Sequence, residues 1–135
     1  MTNGTFGTAI NCMDGRVQEP VMNWVKEQFQ VQYVDKINDA GPTKVILEGN
    51  EETLASIKKR VEISHHGHRS EVLVIAGHHD CAGNPVPREE QVKQIKETTE
   101  LANSWGYDMK IVGLYVNDQW KVEQVTEVIQ PNSAS

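Results

Sequence analysis

The chain has 135 residues, 38% of them apolar and 24% charged, and a formal charge of −6. Length and composition fit a single domain over residues 1–135 with one core and frayed ends at 1–4 and 131–135. The mild acidity argues against a nucleic-acid binder, no apolar run approaches the roughly 20 residues that span a bilayer, and no signal peptide precedes the first strand.

Residues 6–11 read as a short first strand ending at Cys12. Pro20 suits the first turn of a helix, where its missing N–H costs nothing. That helix runs to about Gln28, with Val21, Trp24, Val25 and Phe29 near one face. Residues 31–37 form a second strand, stopped by Asp39-Ala40-Gly41-Pro42. Val45-Ile46-Leu47 is apolar but short and reads as a minor strand or a buried loop. Asn50-Glu51-Glu52-Thr53 opens a second helix with Leu54, Ile57, Val61 and Ile63 on its inner side. The continuous apolar run 72–76 suits a central parallel strand covered on both faces. A loop over 77–87 precedes a third helix over about 88–105, whose Glu89, Glu90, Glu97 and Glu100 form a wet face. A fourth strand spans 110–116. Asn117-Asp118-Gln119 turns the chain into an antiparallel edge strand over 120–128.

Strands alternating with helices predict an α/β fold: three layers, Rossmann-like, with a mainly parallel sheet of order 2-1-3-4 and an antiparallel fifth edge strand. In such a sheet, ligands bind beyond the carboxyl ends of the strands, where strand order reverses. Two segments fall there, Cys12-Met13-Asp14-Gly15-Arg16 after strand one and His78-His79-Asp80-Cys81 after strand three, and they contain the chain's only two cysteines. A cytoplasmic location is expected, and there two cysteines read as thiols or metal ligands rather than a disulfide.

Cys12, His78 and Cys81 make a three-ligand zinc site with a fourth position open, as a catalytic zinc needs. Thiolate plus imidazole favours zinc. Two thiolates and one imidazole leave the ion without net charge, so a bound water can still lose a proton near neutral pH. Asp14 can bind the zinc itself or accept a hydrogen bond from the bound hydroxide. A bidentate pair with Arg16 would hold it in the second role. Gly15 between them allows a tight turn.

These residues resemble the β-class carbonic anhydrases, which carry Cys-x-Asp-x-Arg after one strand and His-x-x-Cys after another. The resemblance covers roughly residues 6–128. It implies Zn2+ held by Cys12, His78 and Cys81, with Asp14 and Arg16 as the catalytic dyad. It also implies reversible hydration of carbon dioxide to bicarbonate and a homodimer or higher homo-oligomer. The chain reads as a minimal or divergent member. Eleven residues precede Cys12, without the helical arm of the family, and Asn38-Asp39-Ala40-Gly41 stands where members often show Arg-Asn-Ala-Gly. Two other readings share the residues: a non-catalytic zinc domain with Asp14 as fourth ligand, and a hydrolase of carbon disulfide or carbonyl sulfide.

The remaining features read as structural. His79 faces solvent, and Asp80 bonds local backbone or orients Arg16 or a neighbouring loop. His65-His66-Gly67-His68 lies between helix two and strand three, so it reads as a solvated helix end at the opposite end of the sheet from Cys12. Trp24, Trp105 and Trp120 read as core or interface packing.

Overall fold

The computed structural model describes residues 4–128. Of the frayed ends expected at 1–4 and 131–135, residues 1–3 and 131–135 lie outside the described residues. Five strands form one sheet: Phe6–Cys12 (β1), Tyr33–Asp39 (β2), Val72–His78 (β3), Lys110–Val116 (β4) and Val122–Val128 (β5). Their order is β2-β1-β3-β4-β5, with β5 antiparallel to β4 and every other pairing parallel. The α/β reading and its strand order are therefore observed.

Four helices cover the sheet: Gln18–Phe29 (α1), Pro42–Glu48 (α2), Glu51–Glu62 (α3) and Arg88–Asn103 (α4). Side chains alternate across the strands and build two cores. On one face Ala9, Val74, Val112 and Leu114 pack with Val21 and Val25 of α1. On the other Ile10, Leu73, Ile75 and Ile111 pack with Ile46 of α2, Ile57 of α3 and Ala102 of α4. Burying each of these valine, leucine and isoleucine side chains stabilises the fold by about 1.5–3 kcal/mol. Every residue of β3 is buried, as a central parallel strand requires.

The register of β1 on β3, Thr8↔Leu73 through Ile10↔Ile75, carries Cys12 and His78 to the same end of the sheet. From that end β1 leads to α1 on one face and β3 leads to α4 on the other. The connections part there and leave a crevice.

Several local expectations change. Val45-Ile46-Leu47 is helical, not a strand or loop. Gly41 caps α2 at φ +63°, Pro42 starts it, and Ile46 is buried. Proline at a helix start has its φ preset and no N–H to leave unpaired. Asn50 caps α3, its side chain accepting from the Thr53 N–H at 3.0 Å. Ile63 is 55% exposed rather than inward, because two residues on from buried Val61 the helical repeat carries it about 160° away from the inner face; a π-helical turn over Ile63–Gly67 follows. β3 runs on to His78, and β5 begins at Val122, leaving Trp120 in the turn. No helix among the described residues is long and apolar enough to cross a membrane.

Candidate metal centre

Cys12 is the last residue of β1 and His78 the last of β3, and Cys81 follows in the next turn. All three are buried. Their ligand atoms lie within 4.8 Å of one another, and the two Sγ atoms are 3.9 Å apart. Two sulfurs at about 2.3 Å from a tetrahedral zinc stand roughly 3.8 Å apart, so the spacing fits that ion.

His78 supplies a second test of fit. Its Nδ1 lies 2.7 Å from the His79 carbonyl oxygen. A carbonyl only accepts, so Nδ1 carries the proton and Nε2 presents a lone pair. That Nε2 is buried and has no hydrogen-bond partner among the described residues. A buried unpaired polar atom costs about 1–3 kcal/mol; a metal ion at the centre of the cluster would satisfy it. Burial and the neighbouring Cys12 push the Cys81 thiol above its usual range, while the backbone N–H groups of Gly83 and Asn84 pull the other way.

The Cys81 loop is braced from behind. A Cβ on Gly83 would stand 2.7 Å from the Ala40 carbonyl carbon, so the loop lies backbone to backbone on the segment after β2. Asn84 Nδ2 donates to Gln94 Oε1 at 2.6 Å, and Gln91 Nε2 donates to the Asn84 carbonyl at 3.2 Å. The loop is thereby tied to α4.

Asp14 does not join the sulfur and imidazole group. Its carboxylate is held by Arg16. Nη2 donates to Oδ2 at 2.7 Å, Nε to Oδ1 at 3.0 Å, and the Arg16 backbone N–H to Oδ1 at 2.9 Å. The Arg16 hydrogen bond holds the Asp14 carboxyl down at about 2. Arg16 also reaches the His78–Cys81 segment, donating from Nη1 to Asp80 Oδ2 at 3.3 Å and from Nη2 to the Asp80 carbonyl at 3.2 Å. Gly15, read as allowing a tight turn, does lie in a turn, with no positive φ and open space where a Cβ would stand.

A family model described as "Putative carbonic anhydrase" matches residues 2–126. The chain belongs to this putative carbonic anhydrase family. Two solved structures share its fold. The carbonic anhydrase from Glaciozyma antarctica is 15% identical, with 88% of this chain and 81% of that chain covered and a TM-score of 0.57. The carbonic anhydrase from Streptococcus mutans is 18% identical over the same shares, with a TM-score of 0.50. No curated protein matches the sequence.

Within this carbonic anhydrase fold, the sequence left several contributors to the site unmarked. Behind the Cys12–Arg16 segment, Gln18 Nε2 donates to the carbonyls of Cys12 at 2.8 Å and Asp14 at 2.9 Å. Lys36 Nζ donates to Gln18 Oε1 at 2.9 Å and Asn11 Oδ1 at 3.0 Å. Burial lowers the Lys36 ammonium to about 8. Trp120 lies over Arg16, its ring centre 4.3 Å from the guanidinium carbon. His79 is exposed, its ring 6.2 Å from that of Trp120. Trp24 and Trp105 pack against the two cores.

His65 and His68 sit apart from the Cys12, His78 and Cys81 cluster. His68 stacks on Phe6, the first residue of β1, at 4.0 Å and donates from Nδ1 to Asp35 at 2.7 Å. His65 Nδ1 donates to the Ser70 carbonyl at 2.7 Å. His68 thus lies at the amino end of β1 and His65 against the segment that leads into β3, both away from Cys12.

Proposed function

We propose that the protein holds one zinc ion through Cys12, His78 and Cys81 and catalyses the reversible hydration of carbon dioxide to bicarbonate, releasing a proton. The observation that carries this reading is the unpaired, buried Nε2 of His78 facing two sulfurs at tetrahedral spacing. Family membership supports a lyase of this kind.

Zinc in that position supplies a Lewis acid that makes water nucleophilic near neutral pH. The chain's own residues do the rest. The His79 carbonyl fixes the His78 tautomer and aims its lone pair. Arg16 holds both oxygens of Asp14, which supports an open fourth position over one closed by that carboxylate. Asp14, kept ionised, accepts a hydrogen bond from the attacking oxygen and so turns that oxygen's lone pair toward the substrate carbon. The reading includes a cytoplasmic setting, where thiols stay reduced, and self-association as a homodimer or larger homo-oligomer, which light scattering would report.

The test is elemental mass spectrometry on untagged protein purified under reducing conditions, followed by stopped-flow carbon dioxide hydration. About one zinc per chain, lost in Cys81→Ser, is expected together with turnover. A fully zinc-loaded protein without hydration activity would overturn the catalytic half, and absence of bound metal would overturn both.

A further inference from the structure

The turn between β4 and β5 carries a residue its geometry does not favour. The Trp120 N–H donates to the Asn117 carbonyl at 2.9 Å, and the Asn117 N–H donates to the Lys121 carbonyl at 2.9 Å. Asn117 Oδ1 accepts from the N–H groups of Gln119 and Lys121. This is a three-residue hairpin loop closing on a left-handed residue, the position glycine normally fills. Here it is tryptophan, at φ +60°. A bulky side chain in that region is an outlier, and such outliers persist where the surroundings gain from them.

The gain is visible at Arg16. The Trp120 indole covers the guanidinium face at 4.3 Å, while the guanidinium edge meets Asp14 at 2.7 and 3.0 Å and Asp80 at 3.3 Å. Two carboxylates thus share one arginine. The ring restricts the plane in which Arg16 can lie, and the plane decides which carboxylate receives the paired bonds. The same ring also stands 6.4 Å from that of His78, so one turn residue reaches both segments of the site.

We propose that Trp120 is a positioning residue that fixes the plane of Arg16 and, through it, the aim of Asp14. Its effect on turnover rests on the hydration reading above; its effect on Arg16 does not.

Trp120→Gly is the deciding variant, since glycine suits the left-handed turn and removes only the ring. Three results are expected. Zinc content and circular dichroism stay as in the parent. The kcat for hydration falls about tenfold with KM little changed, about 1.4 kcal/mol of transition-state stabilisation lost as Asp14 loses its aim. The 15N-detected Arg16 Nε–H signal, sharp and slow to exchange in the parent, broadens or shifts. Trp120→Phe restores the signal and most of the rate. In an Arg16→Ala background, Trp120→Gly costs nothing further, because the ring acts through the arginine. An unchanged Arg16 signal, or losses that add across the double variant, would overturn the proposal. If Trp120→Gly does not fold, Trp120→Leu keeps bulk without an aromatic face and is read by the same signals. A parent protein inactive toward carbon dioxide would defeat the hydration reading, while the Arg16 signal still decides the role of Trp120.

Discussion

Gly41 and Gly83 meet backbone to backbone beside the loop of the Cys12, His78 and Cys81 cluster. A Cβ on Gly41 would stand 2.9 Å from the Gly83 carbonyl carbon, and Gly41 has φ +63°. This contact presses the segment after β2 against the loop that carries Cys81. Gly83→Ala is therefore expected to destabilise the fold by about 1–3 kcal/mol through overpacking. It should also loosen zinc, because the loop must shift to admit the methyl group. Gly15→Ala is the control: its Cβ would meet nothing within 4 Å, and its stability should stay within about 0.5 kcal/mol of the parent. Thermal unfolding and competition with a chromogenic chelator check both. Equal behaviour of the two variants would remove the glycine contact from the account of the site.

Asp14 owes its orientation to Arg16, and Asp14→Asn tests that relationship. The amide cannot receive the paired charged bonds, so Arg16 is expected to turn toward Asp80. Zinc should remain, since Asp14 is not among the clustered ligand atoms, while kcat falls by about 10–100-fold. The pH behaviour follows from the lowered carboxyl, at about 2 against the ordinary 3.8. A depressed carboxyl adds stability above its unfolded value and loses it as pH falls through the folded value. The acid limb of a rate profile above pH 4 should therefore not come from Asp14. A 13C titration of the Asp14 carboxyl with a midpoint near 4 would contradict this.

What the sequence showed was set by how local each signal is. The apolar run from Val72 to Ala76 declares a buried strand by itself, and right-handed connections then restrict the strand order. The cysteines and His78 stand out because few residue types bind zinc and because both segments end strands. Val45-Ile46-Leu47 misled because a three-residue apolar run has no period to read; Gly41 and Pro42 decide its helix from outside it. The brace of Lys36 and Gln18 was illegible because it joins β2 to α1 across space. Trp120 carried one local sign, a tryptophan where a hairpin calls for glycine. That sign needs the register of β4 on β5 before it can be seen.

Removing the metal should expose the cost of the unpaired His78 Nε2. Zinc that binds only the folded chain stabilises it by RT ln(1 + [L]/Kd), or about 4 kcal/mol at a 1,000-fold excess over Kd. Chelation is expected to lower the midpoint of thermal unfolding, and added zinc to restore it. In Cys81→Ser the midpoint should start lower and respond little to zinc. Calorimetry with and without chelator checks this, and a parent midpoint indifferent to zinc would separate the sulfur and imidazole cluster from metal binding.

Lys36 gives the fold a pH dependence independent of the metal. Burial lowers its ammonium from 10.5 to about 8, although three oxygens of Asn11 and Gln18 accept from it. Between those values the unfolded chain binds the proton and the folded chain releases it. Stability linked to this group therefore rises as pH climbs from about 8 to 10.5, and below 8 the folded protein carries the cost of the ionised form. Lys36→Met should flatten that rise. It should also take the Lys36 donor from Asn11 Oδ1 and leave Gln18 Oε1 with Asn11 Nδ2 and Asn38 Nδ2 alone, loosening the carbonyls of Cys12 and Asp14 that Gln18 holds. Denaturant unfolding from pH 7 to 10.5, beside an NMR titration of the Lys36 side chain, measures both effects. A Lys36 midpoint at its ordinary 10.5 would show that the three acceptors offset its burial completely, and the rise in stability should then be absent as well.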